Sequence, residues 1–418
     1  MNKKLIALAI AGAFAAPVAM ADNSNVTIYG EFAGSVDYVD GGNYNAVPGS
    51  GLSAAAAERR GRVSSNNSFL GFKGTEDLGN GLSAIWQYEQ SIAIDKQNIN
   101  NNAGDTNPAL TSNQSRRQTF VGLSSQQIGS VTLGIHDTPY KTSTGPLDIF
   151  GQHTLADYRS IWGAVGSANI ASIRAENSVM YTSPNMSGFT IKALLAAQNE
   201  GGNDTGVKGA ASTSVTNPHL YSVSGTYANG PIFATLAYED NKRANGAAAA
   251  VASNVLTTPI ILGSVAVPAS DSNYKNWRIG GGYSFAGFKV GLAFERIKLT
   301  GQTGGVSQEG QRSAWYLPVS YQMGNNTIKA AYTQAGKSNS KSGGVGSTNG
   351  NDGAKQFSVG FDHAMSKRTN VYALYTKVRN DSDGVYSLGG GATGIAAVNP
   401  ASIGSDPQGI SIGMVHKF

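Results

Sequence analysis

Apolar and polar residues alternate along most of this chain, most clearly in the segment SFLGFKGTEDLGNGLSAIWQYEQ, residues 68–90. One parity is apolar and consists of Leu70, Phe72, Leu82, Ala84, Trp86 and Tyr88. The other parity carries Lys73, Gln87 and Glu89 and is mostly polar, with Ile85 as an exception. Because the turn residues DLGNG separate the two halves, the segment predicts a β-hairpin with one apolar face. Taken alone, it is also compatible with a half-buried hairpin of a soluble β-sandwich.

The same pattern recurs and predicts sixteen strands. Short turns rich in Gly, Asn, Ser and Pro join the strands in pairs, and longer polar loops separate the pairs. The predicted strands span residues 25–40, 58–73, about 82–94, 116–124, 130–137, 176–183, 188–199, 219–228, 231–241, 274–285, 288–299, 312–323, 327–337, 354–365, 369–379 and 408–418. Tight turns at one end and long loops at the other are typical of a closed transmembrane β-barrel. We expect the stretches 201–218 and 242–273 to be exposed loops.

The first residues have the features of an export signal. Lys3 and Lys4 precede an apolar run from residue 5 to 16, and Ala-Met-Ala at 19–21 is a small-residue cleavage site. We therefore predict a removed signal peptide over 1–21 and one barrel domain over 22–418. No later segment has about twenty uninterrupted apolar residues, so a helical span is excluded. The chain has no cysteine, which excludes a disulfide framework and a thiolate metal site.

Composition agrees with a barrel that meets lipid on one face and water on the other. Apolar residues make up 40% of the chain and charged residues 14%, a mixture suited to strands with one lipid-facing and one lumen-facing side. A secreted β-solenoid could share this composition, but the sequence has no fixed short period. The net charge of +5 is too small to indicate nucleic-acid binding.

The sequence offers little support for an enzyme. The five histidines fall in five separate segments without a nucleophile motif or metal-ligand spacing. Gly triplets at 280–282 and 389–391 lack the strand, helix and Lys-Ser/Thr context of a phosphate-binding loop. We expect no catalytic activity, no cofactor and no metal.

The chain ends in GISIGMVHKF, in which Ile410, Ile412, Met414 and Phe418 share a face. Such a strand fits the edge of any sheet, or a lipid-facing barrel strand that ends in an aromatic residue of the interfacial girdle. Other notable segments are NVTIYGEFAGSVDY, GFKGTEDLGNGLSAIWQYEQ, SRRQTFVGLSSQQIGSVTLG, ENSVMYTSPNMSGF and SKRTN. Together these segments, spread over the whole mature chain, resemble the trimeric general porins of β-proteobacteria, including the neisserial porins.

This resemblance implies an all-β, sixteen-stranded antiparallel transmembrane barrel with short periplasmic turns, long outer loops and an inward-folded third loop. It implies a homotrimer in the lipids of the Gram-negative outer membrane and a water-filled pore for ions and small hydrophilic solutes. We expect Ile410, Ile412, Met414 and Phe418 to be the signal read by the machinery that inserts outer-membrane barrels.

The third loop is predicted to span residues 138–175. It contains large apolar residues that a solvated loop would not need, namely Leu147, Ile149, Phe150, Leu155, Ile161 and Trp162. Packing against the inner wall of the barrel would bury them. On the resemblance, Asp148 and Asp157 form the anionic side of the pore constriction. Alternatively, these two carboxylates only keep the loop solvated.

On the resemblance, Arg117 and Arg174 form the cationic side of the constriction. Two positions depart from the family pattern, because Phe69 and Met180 stand where a basic residue is frequent. Upstream, three arginines could compensate or could form a charged outer rim: Arg59, Arg60 and Arg62. We predict a weak anion preference; which parity faces the lumen near Arg116 and Arg117 stays open at this stage.

Two other functions remain open from the sequence. A selective channel with a defined ligand site would need a continuous aromatic track in the lumen, whereas the aromatic residues here lie mostly on the predicted lipid face. An adhesin would use its outer loops to attach to a surface and would not conduct ions.

Overall fold

In the computed structural model, the residues described are 25–42, 59–95, 117–152, 154–165, 168–169, 173–197, 219–242, 260–262, 265–267, 273–303, 306–342, 350–389 and 403–418. The predicted signal peptide, the whole stretch 201–218 and Arg116 lie outside these residues. No helix among the described residues is both long and apolar enough to cross a bilayer.

The described chain is built almost entirely from β-strands. In order they are β1 (Asn25–Asp40), β2 (Arg60–Ser65), β3 (Phe69–Gly79), β4 (Leu82–Ser91), β5 (Thr119–Ser125), β6 (Gly129–Asp137), β7 (Ala164–Val165), β8 (Ala168–Asn169), β9 (Arg174–Thr182), β10 (Phe189–Ala197), β11 (His219–Asn229), β12 (Ile232–Lys242), β13 (Ile260–Leu262), β14 (Val265–Val267), β15 (Asn273–Phe285), β16 (Phe288–Thr303), β17 (Val306–Met323), β18 (Asn326–Ala335), β19 (Asn339–Ser342), β20 (Ala354–Ala364), β21 (Thr369–Asn380) and β22 (Gln408–Lys417). One short helix, α1 (Pro139–Thr142), follows β6.

Eighteen of these strands form one antiparallel sheet that closes on itself. The last strand, β22, pairs with β1 from Glu31↔Lys417 to Asp40↔Gln408 and completes the ring. β2 and β3 pair with successive parts of β1, and β18 and β19 pair with successive parts of β17. β2 and β3 therefore share one strand position in the barrel, and β18 and β19 share another. The barrel therefore has sixteen strand positions, and the predicted fold is confirmed.

Side chains alternate between an apolar outer face and a polar inner face. On β1, Val26, Ile28 and Val36 point outward and are exposed, whereas Glu31 and Asp37 point inward and are buried. The parity predicted from the hairpin 68–90 is also correct: Trp86 is outward and exposed, and Glu89 is inward and buried. Successive residues of a strand point to opposite faces, so polar side chains in the lumen can alternate with apolar side chains in the lipid while the backbone hydrogen bonds between strands are kept.

The two ends of the barrel differ as the sequence predicts. At one end, consecutive strands join through tight turns, such as the one at Asn80 and Gly81, whose φ angles of 53° and 75° are both positive. Two residues with positive φ match the right-handed twist of the paired strands, which explains the Asn-Gly sequence. Phe418 closes this end by exchanging backbone hydrogen bonds with Gly30 at 3.2 Å. The other end carries the long loops.

Some strand boundaries differ from the prediction. The predicted strand 58–73 is divided into β2 and β3, because Asn67 adopts a φ of 62° and the side chains of Asn66 and Ser68 bond back to β1. β16 continues to Thr303 and β17 already begins at Val306, so both strands are longer than predicted and the connection between them is short. Part of the predicted loop 242–273 forms the small hairpin β13–β14.

Candidate pore constriction

The third loop connects β6 to β9 and folds into the barrel. It begins with α1, whose first turn is capped by the Thr138 side chain accepting from the Lys141 N–H at 3.1 Å. Pro at the first helical position fits here because that residue needs no N–H partner. Two 3-10 turns follow, Gly145–Leu147 and Tyr158–Ser160.

Glu295 on β16 is the polar anchor of this loop. Its carboxylate accepts from the Tyr140 hydroxyl at 3.0 Å and from the Gly163 N–H at 2.8 Å, so it bonds to both ends of the loop. Arg278 on β15 donates to the same carboxylate at 2.7 Å and to the Tyr140 carbonyl at 3.0 Å. Arg312 on β17 lies 3.5 Å away. These donors together compensate for the free-energy cost of burying the Glu295 carboxylate completely.

Leu147 fills a socket made of glycines. A Cβ added to Gly280 would lie 3.0 Å from the Leu147 side chain, and a Cβ added to Gly282 or to Gly291 would lie 2.9 Å from it. These three glycines of β15 and β16 face inward, so the absence of their side chains creates the space that Leu147 occupies. The Gly triplet 280–282 thus has a packing role, which its sequence context alone did not reveal.

Further apolar side chains fix the rest of the loop. Phe150 packs on Gly360 of β20, and Leu155 packs on Gly409 of β22. Tyr158 stacks on Tyr316 of β17 with ring centroids 4.1 Å apart. Leu147, Phe150, Leu155, Ile161 and Trp162 belong to one buried cluster, with Ile149 packed against it. The prediction that the apolar residues of this loop pack against the inner wall is confirmed.

The two loop carboxylates have different environments. Asp148 is half-buried at the end of the first 3-10 turn, and its Oδ1 accepts from the Gly151 N–H at 2.9 Å. Asp157 is completely buried and forms a two-point ion pair with Arg159, with N···O distances of 2.9 and 2.6 Å. Asp157 also caps the second 3-10 turn through the Arg159 N–H. Its charge is therefore matched within the loop.

Arg117 points into the barrel. Its guanidinium lies over the Phe69 ring, 4.5 Å from the ring centroid. The same group lies 3.5 Å from the Glu89 carboxylate and donates a hydrogen bond to the Asn67 side chain. Within β5, Val121 and Leu123 are outward, so simple alternation would also turn residue 117 outward. The backbone departs from that register, because the Arg117 N–H bonds to the Glu89 carbonyl, two residues beyond the β4–β5 ladder. Counting around the ring, β4 and β16 lie on opposite walls, so Arg117 and Glu89 stand across the lumen from the loop anchor Glu295.

Arg174 belongs to a second inward cluster at the root of the loop. Its Nε lies 3.0 Å from Asp137 Oδ1, and Lys141 Nζ lies 2.8 Å from the same oxygen. Burial lowers the pKa of Lys141 to about 8, and the nearby carboxylate of Asp137 only partly opposes this shift. Two cations thus share one carboxylate, which leaves a net positive charge at neutral pH.

The three upstream arginines lie at the loop end of β1 and β2. Arg62 is inward and contacts Asp37 at 3.1 Å. Arg59 is exposed and contacts Asp40 at 3.0 Å, and Arg60 is exposed at the start of β2. All three are near the outer mouth, and two have carboxylate partners.

Sequence reasoning missed the acidic partners of the wall arginines. Glu89 lies 3.5 Å from Arg117, Asp137 accepts from Arg174 at 3.0 Å, and Glu31 lies 3.6 Å from Lys417. Inward parity was a signal for Glu31 and Glu89, since each alternates with outward apolar residues. For Asp137 and Lys141 no such signal exists, because both lie where the strand gives way to the loop. Met180 points inward and is partly buried, so it adds no charge to the inner wall of the barrel.

The final strand presents Ile410, Ile412 and Met414 outward, each more than half exposed. Phe418 stacks on Phe32 with centroids 5.5 Å apart, at the turn end of the barrel. The residues expected to form the assembly signal therefore share the outer face.

The family model for Gram-negative porins matches residues 7–383 of the chain. This protein belongs to the Gram-negative porin family. The porin is 26% identical over 425 residues to outer membrane porin protein 32 of Delftia acidovorans, with 100% of both chains covered. It is 29% identical over 377 residues to the major outer membrane protein P.IB of Neisseria meningitidis serogroup B, covering 89% of this chain and 91% of the relative.

Solved porin structures share its fold. The anion-selective porin from Comamonas acidovorans superposes with a TM-score of 0.65 at 22% identity, covering 95% of this chain and 100% of the other. The trimer form of OmpT from Vibrio cholerae gives a TM-score of 0.60 at 12% identity, with coverage of 95% and 100%. The resemblance found in the sequence motifs is confirmed, and the protein is a porin of the Gram-negative outer membrane. Its family and relatives are channels rather than enzymes.

Proposed function

We propose that this porin is a general diffusion channel for ions and small hydrophilic solutes with a weak preference for anions, and that it has no enzymatic activity. The proposal rests mainly on the position of two groups across the lumen from each other. The third loop is fixed to one wall of the barrel, and Arg117 and its neighbours lie on the opposite wall. A fixed loop narrows the lumen without closing it, and charged groups on the facing wall set the local ion concentration.

The weak preference follows from the charges that face the lumen. In this proposal Arg117, Arg174 and Lys141 attract anions, and Asp148 opposes them from the loop. Glu89 and Asp137 neutralise part of the cationic wall, since each lies within 3.5 Å of its arginine. Asp157 contributes to the shape of the loop more than to the pore field, because Arg159 matches its charge. Arg59, Arg60 and Arg62 would gather anions at the outer mouth.

We also propose a homotrimer, a cleaved leader over residues 1–21 and assembly through the final strand. Support for the trimer comes from the family and from OmpT of Vibrio cholerae, which has been solved as a trimer. Support for the assembly signal comes from the shared outer face of Ile410, Ile412 and Met414 and from Phe418 at the turn end.

Planar-bilayer recording of the purified porin tests the proposal. A trimer of diffusion channels should insert in large steps and close in thirds, and a gradient of potassium chloride should give a small reversal potential of the sign expected for anions. Absence of conductance would overturn the channel function. A strong cation preference would leave the channel but overturn the assigned roles of the wall residues.

A further inference from the structure

A row of alternating charges crosses four neighbouring strands on the inner wall of the barrel. Its members are completely or almost completely buried: Glu239 on β12, Arg278 on β15, Glu295 on β16 and Arg312 on β17. Glu239 pairs with Asn276 and is therefore a diagonal neighbour of Arg278, which has Glu295 on its other side. Arg312 stands at the end of the row and shares Glu295 with Arg278. The positive charge at this end of the row is therefore matched only in part.

Arg312 has fewer acceptors than a buried guanidinium needs. Its Nη2 lies 3.5 Å from Glu295 Oε1, at the limit of a hydrogen bond, and that oxygen already accepts from the Gly163 N–H at 2.8 Å. Its Nε and Nη1 have no hydrogen-bond partner, and the side chain is only 3% exposed. Within the described part of the chain, no second carboxylate lies at ion-pair distance from it. Because a buried cation without acceptors is costly, this position favours an anion.

Trp162 of the third loop brings a further unpartnered donor to the same place. Its side chain is completely buried, and its Nε1 has no hydrogen-bond partner. Its neighbour Gly163 bonds to the carboxylate oxygen that Arg312 contacts, so the two side chains lie on the same side of Glu295. Indole and guanidinium nitrogens donate but cannot accept. A water molecule between them would need acceptors for its own protons, whereas an anion needs none.

The connection between β21 and β22 covers these donors. Tyr386 is almost completely buried, and its ring centroid lies 5.9 Å from Arg312 Cζ. Tyr386 and Trp162 belong to the same buried cluster. The Gly389 N–H of this connection also donates to the Ser160 hydroxyl of the third loop at 2.9 Å. The donors are thus enclosed by the barrel wall, the third loop and this connection, which leaves room for a small ion rather than a bulky one.

We propose that a halide-sized monovalent anion, chloride in ordinary surroundings, binds beside Arg312 and Trp162 behind the third loop. The anion balances the charge of Arg312 and accepts hydrogen bonds from both side chains. It thereby ties the third loop and the connection between β21 and β22 to the wall formed by β16 and β17. This site is separate from Arg117, which lies on the opposite wall, and it does not depend on the ion preference of the pore.

Diffraction from crystals of the full-length purified porin grown in bromide tests the site directly, because bromide scatters anomalously. We expect an anomalous peak beside Arg312 and Trp162 in the parent and no peak there in Arg312→Gln. Arg296→Gln is the matched control, since Arg296 is an exposed arginine on the outer face of the neighbouring strand β16. The control should keep the peak at Arg312.

Tryptophan fluorescence measures the same binding in solution, because bromide quenches indole emission. The other three tryptophans point outward and are partly exposed, so collisional quenching of these residues should rise linearly with bromide: Trp86, Trp277 and Trp315. Trp162 should add a component that saturates. This component should vanish in Trp162→Phe, which removes the reporter, and should stay parental in Arg296→Gln. In Arg312→Gln it should require about tenfold more bromide or more, because a charge-assisted hydrogen bond is lost.

Arg312→Lys keeps the positive charge and should retain part of the saturable quenching, and heat-modifiable mobility verifies that each variant has assembled. Absence of the anomalous peak beside Arg312 in the parent would overturn the proposal, and this result does not depend on any variant. An equal peak or equal quenching in Arg312→Gln would overturn the role of the arginine. Displacement of bromide by acetate as readily as by chloride would overturn the assignment to a halide.

Discussion

Arg278 donates from Nη2 to Oε2 of Glu295 at 2.7 Å, and both side chains are completely buried between the third loop and the barrel wall. Glu295 simultaneously accepts from Tyr140 and Gly163 of that loop. A single wall carboxylate thus joins two distant parts of the third loop.

Replacement of Glu295 by Ala should release the loop without unfolding the barrel. Removing one partner of a buried ion pair costs about 3–5 kcal/mol, because Arg278 would stay buried without its carboxylate. Because the strands are closed by backbone hydrogen bonds, the barrel should persist. We expect single-channel conductance to become variable and noisy, measured in planar bilayers.

The matched control for this prediction is Glu76→Gln, since Glu76 is exposed on β3 near the turns. Glu295→Gln should have an intermediate effect, because the amide oxygen still accepts hydrogen bonds. Parental conductance and noise in Glu295→Ala would show that Glu295 does not hold the loop.

Replacement of Gly282 by Val should displace the loop by filling the socket of Leu147. The first carbon of the new side chain would already lie 2.9 Å from Leu147, and two more methyl groups would follow. Leu147 would leave the socket or the strand would shift, at a cost of about 1–3 kcal/mol. The expected readout is a changed conductance with normal heat-modifiable assembly.

Gly281→Val provides the control, because residue 281 points outward between the same strands. It should leave conductance unchanged and add apolar surface in the lipid. If both variants conducted equally, the glycine socket would have no part in positioning the loop.

Replacement of Arg117 by Glu should turn the weak anion preference towards cations at low salt. The substitution changes the wall charge by two units and places a second carboxylate beside Glu89. In a water-filled lumen each charge contributes about 1 kcal/mol at contact distance, and the effect fades beyond a Debye length of about 8–10 Å. Reversal potentials in a tenfold salt gradient measure the change.

Glu89→Gln is the complementary variant and should strengthen the anion preference, because it frees the charge of Arg117. An unchanged reversal potential in both variants would mean that this pair does not face the conduction path.

The anion preference should fall between pH 7 and pH 9. Lys141 has a pKa lowered to about 8 by burial, so it is protonated below that pH and neutral above it. Its cluster with Arg174 and Asp137 therefore passes from a net positive charge to neutrality as pH rises. Reversal potentials measured across this range should show a step centred near pH 8.

In Lys141→Arg the step should disappear, since a guanidinium stays protonated throughout. Persistence of the step in that variant would assign it to another group.

Deletion of Phe418 should leave exported but unassembled protein. Its backbone bonds to Gly30 and its ring stacks on Phe32, so the deletion removes a closing contact between the last and first strands. We expect loss of heat-modifiable trimers in outer-membrane fractions. Conservative replacement by Tyr should restore them, and parental trimer yield after the deletion would contradict the assigned signal.

The sequence by itself determined the strands, their number and their faces. Alternation has a period of two, and in a barrel each parity meets a different solvent, so Trp86 and Glu89 reveal their sides directly. Tight turns are equally local, as Asn80 and Gly81 illustrate through the positive φ angles they adopt. The apolar residues of the third loop also indicated its burial, because a solvated loop has no use for them.

The tertiary structure alone decided which groups meet inside the barrel. Arg117 turns inward because the register shifts beside Glu89, and a shift of register leaves no trace in alternation. Asp157 finds Arg159 and Glu295 finds Arg278 through side-chain geometry, although spacing along the chain suggested neither pair. Charge in a pore depends on such pairing, because a carboxylate within 3 to 4 Å of an arginine cancels most of its field, whereas sequence reveals only how many charges exist.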